Sequence, residues 1–189
     1  FRYGDAQTDD ARLVLRVLSE AVGDGAQVLN YARATGLLCD AGGRVTGARV
    51  QDATCGDGEQ HDLRATVVIN ATGAWADTLR KEVGGAKRIR PLRGSHLVFP
   101  AWRLPVGQAL SFLHPLDRRP VFIFPWEGIT LVGTTDVDHE GSLEAEPCIS
   151  PDEVAYLMAA VASQFPAIDL TLEDIVSTFS GIRPVVGSG

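Results

Sequence analysis

Val67-Val68-Ile69-Asn70-Ala71-Thr72-Gly73 is the stretch on which the fold turns. Three consecutive β-branched apolar residues predict a strand covered on both faces, the habit of strands in parallel sheets. Asn70-Ala71-Thr72-Gly73 then puts small residues at that strand's carboxyl end, the edge at which open α/β sheets bind ligands. A short helix through about Val83 is predicted to follow.

Working back from this stretch, segments 33–39, 44–53 and 61–70 read as the strands of a β-meander. Ala41-Gly42-Gly43-Arg44 supplies one hairpin turn, and Cys55-Gly56-Asp57-Gly58-Glu59-Gln60 supplies an exposed tip. Residues 27–31 predict a further short strand. Thr8-Asp9-Asp10 opens a helix with N-cap residue types. Val14, Val17, Leu18 and Ala21 follow the spacing of one buried face, and Gly23 and Gly25 end the helix.

Working forward, strands are predicted at 92–99, 109–113, 120–124, 129–133 and 174–180. One helix interrupts them. Ser150-Pro151-Asp152-Glu153 reads as N-cap, proline at the first turn and two acids, and the helix should end before Pro166. No internal repeat or low-complexity segment is visible.

Composition sets the outer bounds. The 189 residues are 45% hydrophobic and 22% charged, with 20 Gly and 10 Pro, which excludes a disordered or fibrous chain. The length suffices for a core without disulfide staples. Seventeen basic against 24 acidic residues give a net charge of −7, which argues against nonspecific nucleic-acid binding. It leaves room for a local basic pocket. Cys39, Cys55 and Cys148 form no CxxC and read as reduced thiols, so a cytosolic compartment is expected. No run of 18 apolar residues predicts a membrane helix, and no signal peptide is read. Phe1-Arg2-Tyr3 reads as the interior of a longer chain.

Several motifs compete for attention. Gly23-Asp24-Gly25-Ala26-Gln27-Val28 copies part of GxGxxG but follows a helix, so it reads as a helix cap. Asp136-Val137-Asp138-His139-Glu140-Gly141 opens like a calcium loop, yet Pro147 stands where the bidentate Glu belongs. A solvated acidic loop is expected there, and no metal site. His61 and His114 read as surface residues. His96 differs, because Arg93-Gly94-Ser95-His96 puts an imidazole beside an arginine and a glycine that admits close approach. Gly181-Ile182-Arg183-Pro184, expected just after a strand, holds a guanidinium fork on a stiff backbone. A surface ion pair is the equal alternative for Arg183.

Together, Asp9-Asp10-Ala11-Arg12-Leu13, Val68 to Trp75, Arg93 to His96, Phe124-Pro125-Trp126, Gly133-Thr134-Thr135-Asp136 and Ser180 to Pro184 resemble one family in order. It is the flavin-dependent glycerol-3-phosphate dehydrogenase branch of the D-amino-acid oxidase-like flavoproteins. The resemblance implies an α+β fold. Residues 1–90 would form a partial FAD-binding α/β domain of helix, β-meander and ATG strand. Residues 91–189 would form an antiparallel substrate-binding sheet with flanking helices that returns toward the flavin.

It also implies a longer parent, because the family's leading GxGxxG unit and C-terminal region have no counterpart here. The implied parent oxidises sn-glycerol 3-phosphate to dihydroxyacetone phosphate with FAD. His96 would be the base, Arg183 the phosphate ligand and Arg93 a second basic group. Ala71, Thr72, Gly73 and Gly181 would lie beside the flavin. Quinone or another acceptor would take the electrons. The parent is expected in the cytoplasm, associating peripherally with the inner face of the membrane. Two alternatives stay open: a related FAD-dependent amino-acid or 2-hydroxy-acid oxidase, and an inert β-rich module without FAD when the chain is isolated.

Overall fold

The computed structural model describes residues 2–54 and 58–187. It divides into two compact units, 1–69 and 70–189.

In the first unit, α1 spans Asp10–Gly23 and is capped by the Asp9 carboxylate, which accepts from the Arg12 N–H. Its apolar stripe was expected to be buried, but no residue of α1 is, and Val14 and Val17 stay more than half exposed. Strands β1 (Ala32–Cys39), β2 (Val45–Asp52) and β3 (Gln60–Arg64) form the expected antiparallel meander in the order β1-β2-β3. Gly43, at φ +80°, completes the turn between the first two. The tip expected at 55–60 lies partly outside the described residues, as does Cys55.

Two strand expectations are corrected. Residues 27–31 form no strand, because Tyr31 takes a left-handed φ of +55° that breaks extended backbone. The stretch 65–70 is not a strand either. The Ala65 N–H bonds the Thr46 carbonyl, β2 begins at Val45, and among the described residues no partner strand remains beyond that point. Val67 and Ile69 are left 73% and 83% exposed rather than covered on both faces.

The second unit opens with a 3-10 turn at Gly73–Trp75 and α2 at Ala76–Glu82, as expected. Its sheet is built on β4, Ile89–Pro100. Strands β5 (Leu110–Leu113), β6 (Pro120–Trp126) and β7 (Ile129–Gly133) meander onto one edge of β4. The two-residue strand β8 (Val137–Asp138) continues along that edge, and β9 (Ser177–Val186) pairs with β4 along ten residues. Leu92 faces both Asp138 and Arg183, so β8 and β9 lie on opposite edges of β4.

β9 runs past 180, so Gly181-Ile182-Arg183-Pro184 lies inside a strand rather than after one. Proline is tolerated because Pro184 faces Pro91. Counting from the Gly187 N–H on the Arg88 carbonyl, this pair falls at a non-hydrogen-bonded position, where the absent N–H groups break no β4–β9 bond.

Successive β4 side chains alternate between faces. Helix α3, Pro151–Gln164, covers one of them. Leu97 and Phe99 of β4 meet Val121, Ile123, Val132 and Leu104 there, together with Leu157, Ala160 and Val161 of α3. His114 belongs to this interior and not to the surface, as its sequence context suggested. It is fully buried, stacks on Tyr156 at 3.6 Å, and accepts the Leu116 N–H at Nδ1, so Nε2 donates to the Tyr156 carbonyl.

Candidate active site

The other face of β4 carries Leu92, Gly94 and His96. Register places Arg183, Gly181 and Phe179 of β9 directly beside them, and Gly133 of β7 beside His96. Two residues expected to act together, His96 and Arg183, therefore share one face. Between them lies backbone without side chains, since Gly94 pairs with Gly181.

The His96 ring stacks on Phe179 at 4.5 Å with planes 6° apart. Its other side rests on Gly133, where a Cβ would overlap Cδ2 and approach Nε2 to 2.6 Å. Nδ1 is buried and makes no hydrogen bond within the described residues. Burial, and then the positive charge of Arg183, lower the imidazole pKa to about 4. His96 is thus uncharged at neutral pH, with a free ring-nitrogen lone pair but less basic than an ordinary imidazole.

Arg183 starts on one edge of β4 and reaches across it over Gly94. A Cβ on Gly94 would come within 2.7 Å of the Arg183 Cζ. On the far edge, Nη1 donates to Asp136 Oδ1 at 3.0 Å and weakly to the Thr135 carbonyl at 3.4 Å, and Nη2 donates to Thr134 Oγ1 at 2.9 Å. These partners sit on a bulge. From Gly133 to Val137 the chain advances four residues while β4 advances only three, from His96 to Arg93. Across this bulge the Thr134 and Asp136 side chains and the Thr135 carbonyl face Arg183.

The acidic run expected as a solvated loop is therefore partly β8, and both of its aspartates engage arginines. Asp136 bonds Arg183, and Asp138 bonds Arg90 at 2.6 and 2.7 Å. The described residues contain no group of three His, Cys, Asp or Glu side chains that could hold a metal ion.

Arg93 projects to the opposite face, toward α3, where its Nη2 meets the Glu153 carboxylate at 2.7 Å. Glu153 is 4% exposed and also receives the Ser95 hydroxyl, the Thr135 hydroxyl and the Ser150 N–H. Burial pushes its pKa up, but the bonds from Arg93, Thr135, Ser150 and Ser95 outweigh that and bring it down to about 2. The Ser95 hydroxyl reaches on to Ser180 of β9 at 2.8 Å. One carboxylate therefore ties the α3 N-terminus, β4 and the bulge together behind His96.

Asn70, Ala71, Thr72 and Gly73 form a turn braced by the Asn70 side chain. Its Oδ1 accepts the Thr72 hydroxyl at 2.8 Å, and its Nδ2 donates to the Ala76 carbonyl at 2.9 Å. Ala71, Thr72 and Gly73 are exposed, and the 3-10 turn they lead into packs beside β4 and β9. The expected flavin-side segment thus adjoins the strand carrying Gly181 and Arg183.

A family model described as FAD dependent oxidoreductase matches residues 1–189. The chain belongs to this family. The aerobic glycerol-3-phosphate dehydrogenase of Staphylococcus epidermidis is 37% identical over 97% of the chain and 33% of its own length. The alpha-glycerophosphate oxidase of Streptococcus pneumoniae is 36% identical over 97% of the chain and 30% of its own length. The chain thus spans about a third of these relatives. The solved glycerol-3-phosphate dehydrogenase of Bacillus halodurans, complexed with FAD, superposes with a TM-score of 0.88 at 36% identity, over 96% of this chain and 36% of that one.

The face described above fits one end of the family's cofactor. A Cβ on Gly181 or Gly73 would meet nothing within 4 Å, so both leave backbone open to a planar group. The diphosphate end finds no glycine-rich cradle among the described residues. Gly25, at φ +93°, serves the end of α1 instead.

Four further residues shape the face and were not read from the sequence as site residues. Phe179 and Gly133 seat the imidazole; Gly133 opens the quoted Gly133-Thr134-Thr135-Asp136 segment without a role being read for it, and nothing in the local sequence marks Phe179. Asp136 reads in the sequence as part of an acidic run and of the Gly133-Thr134-Thr135-Asp136 segment, and neither marks it as a partner of Arg183. Glu153 read as an N-cap acid, and its capping box with Ser150 is indeed present. The second task of its carboxylate depends on contacts 58 and 60 residues away in the chain.

Proposed function

We propose that this chain supplies the substrate-side face of a flavoenzyme that oxidises sn-glycerol 3-phosphate to dihydroxyacetone phosphate. The observation that carries this reading is the placement of an uncharged His96 and a cationic Arg183 on one sheet face, with the guanidinium lying over Gly94 and the backbone of Gly181 left open beside it. The relatives named for glycerol phosphate chemistry support it.

In this reading residues 1–90 belong with the FAD-binding part and residues 91–189 form the substrate sheet. Arg183 holds the phosphate, and its forked geometry suits a two-oxygen contact. His96 takes the proton of the C2 hydroxyl. An anion on Arg183 offsets the charge that depresses the His96 pKa, so the base strengthens when substrate is in place. Arg93 acts from behind through Glu153 rather than by touching the phosphate. Ala71, Thr72, Gly73 and Gly181 would lie beside the flavin. Bound there, FAD would supply the hydride acceptor for C2. A quinone or another acceptor then takes the electrons, and the protein works in the cytoplasm, peripherally on the inner membrane face. No helix among the described residues is long and apolar enough to cross a membrane.

The test is anaerobic bleaching of the flavin in the protein that carries this segment. Glycerol 3-phosphate should bleach it, while glycine, sarcosine and 2-hydroxyglutarate should not. Bleaching by an amino or hydroxy acid alone would reassign Arg183 to a carboxylate and the chain to the oxidase alternative.

A further inference from the structure

Arginine geometry within this chain supplies an internal comparison. Arg49, Arg90, Arg93 and Arg103 each grip a carboxylate with Nε and Nη2, the side edge of the guanidinium. Arg183 does not. Its protein contacts use Nη1 and Nη2 only, and its Nε makes no hydrogen bond within the described residues. Of five N–H donors, three are committed to Thr134, Thr135 and Asp136, which leaves Nε–H and one Nη2–H. The side chain remains 40% exposed.

The holding groups are themselves held. The Thr134 hydroxyl donates to the Thr135 carbonyl at 3.1 Å, so its oxygen can only accept from Arg183. Thr135 is fixed by its own hydroxyl, which donates to Glu153 at 2.6 Å. The Asp136 carbonyl accepts from Arg119 at 2.8 Å.

We propose that Thr134 and Asp136 are positioning residues for Arg183: they clamp its Nη1 side and so present the Nε side as a two-donor edge to the oxyanion end of the ligand. The ligand class is a phosphate monoester, which rests on the reading of Arg183 as the anion site given above. Pre-orientation matters because a free guanidinium must lose rotational freedom on binding, whereas a clamped one has already lost it.

The full 189-residue chain, labelled with nitrogen-15, tests this by side-chain NMR with inorganic phosphate as the probe. Without ligand, rotation about the Arg183 Cζ–Nε bond should be slow in the wild type and fast in Asp136→Ala. Phosphate should shift the Arg183 Nε–H signal in the wild type, and affinity should fall about tenfold in Asp136→Ala. Asp136→Asn, which keeps the acceptor oxygen but removes the charge, should restore most of the affinity, as should Thr134→Ser relative to Thr134→Val. Fast rotation in the wild type overturns the proposal without recourse to any variant. Equal or tighter phosphate binding by Asp136→Ala also overturns it, making Asp136 a competitor for Arg183 while the anion site stands. If phosphate moves no Arg183 signal in the wild type, the anion-site reading falls and takes the proposed edge with it.

Discussion

The imidazole of His96 lies against the α-carbon of Gly133, in the space that any other residue would fill with its Cβ. The contact is between neighbours on adjacent strands, since Gly133 is the register partner of His96. Gly133→Ala must therefore displace the ring from its stack on Phe179. The expected cost is about 1–3 kcal/mol of stability, from overpacking. Chemical denaturation measures this, and the ring-current shift of the His96 protons reports the lost stack. An unchanged His96 spectrum would contradict the contact.

Gly181→Ala is the matching control. Its added methyl meets no atom within 4 Å, and its register with Gly94 is that of ordinary extended strand. Stability should stay within about 0.5 kcal/mol. In the flavin-loaded protein the same methyl should disturb the flavin absorption bands, because it enters the space proposed for the ring. A destabilised chain with an unperturbed flavin spectrum would reverse both halves of this expectation.

Acid should act through His96. Burial and Arg183 lower its pKa from 6.5 to about 4, so on acidification the unfolded chain takes up this proton first. The resulting stability is fully present above pH 6.5 and drains away as pH falls toward 4. Unfolding free energies at about pH 7 and about pH 4.5 should differ less in His96→Gln than in the wild type. Equal differences would show that the imidazole is not held neutral by the fold.

Glu153→Gln should be among the most damaging single changes. It leaves Arg93, whose side chain is 19% exposed, without its counter-charge, and breaking a buried pair in this way costs about 3–5 kcal/mol. The Glu153 contribution has its own pH window. With the carboxyl held at about 2 against an ordinary 4.5, it is present above 4.5 and lost as pH falls through 2. Thermal unfolding of the variant near neutral pH gives the first reading, and a loss below about 1 kcal/mol would mean that the network is dispensable.

The isolated 189-residue chain should purify without colour and leave added FAD unbound at micromolar concentration. Flavin fluorescence quenching is the measurement. A yellow preparation would mean that the exposed ATG turn and Gly181 suffice without a diphosphate cradle.

Much of this architecture was legible in the residues. The capping box at Ser150 and Glu153, the hairpin of β6 and β7 and the Asp9 cap are local chemistry, and local chemistry can be read in order along a chain. Failures came where a partner decides the outcome. Val67-Val68-Ile69 has the composition of a buried strand but, among the described residues, no strand beside it, and a strand without a ladder is not one. The apolar stripe of α1 has the right period and stays exposed for a similar reason. His114 was misjudged because Tyr156, which stacks on it, lies 42 residues away. At the site, His96 and Arg183 were visible as residue types in suggestive company. Their common face was not, because it depends on a register between strands 87 residues apart.

The sheet is not equally fastened around the site. Along its middle, β4 is paired on both edges, to β7 and β8 on one side and β9 on the other, whereas among the described residues β9 is paired only to β4. Peeling β9 frees its own amides and the alternate β4 amides that point at it, whereas the β4 amides that point at β7 and β8 stay closed until the rest of the sheet opens. Hydrogen exchange should therefore run fast along β9 and at the alternate β4 residues facing it, and slowly at the β4 residues between them. The strand that carries Arg183 can breathe on a timescale at which the β4–β7 ladder stands still, so whatever approaches this face from the β9 side meets the yielding wall first.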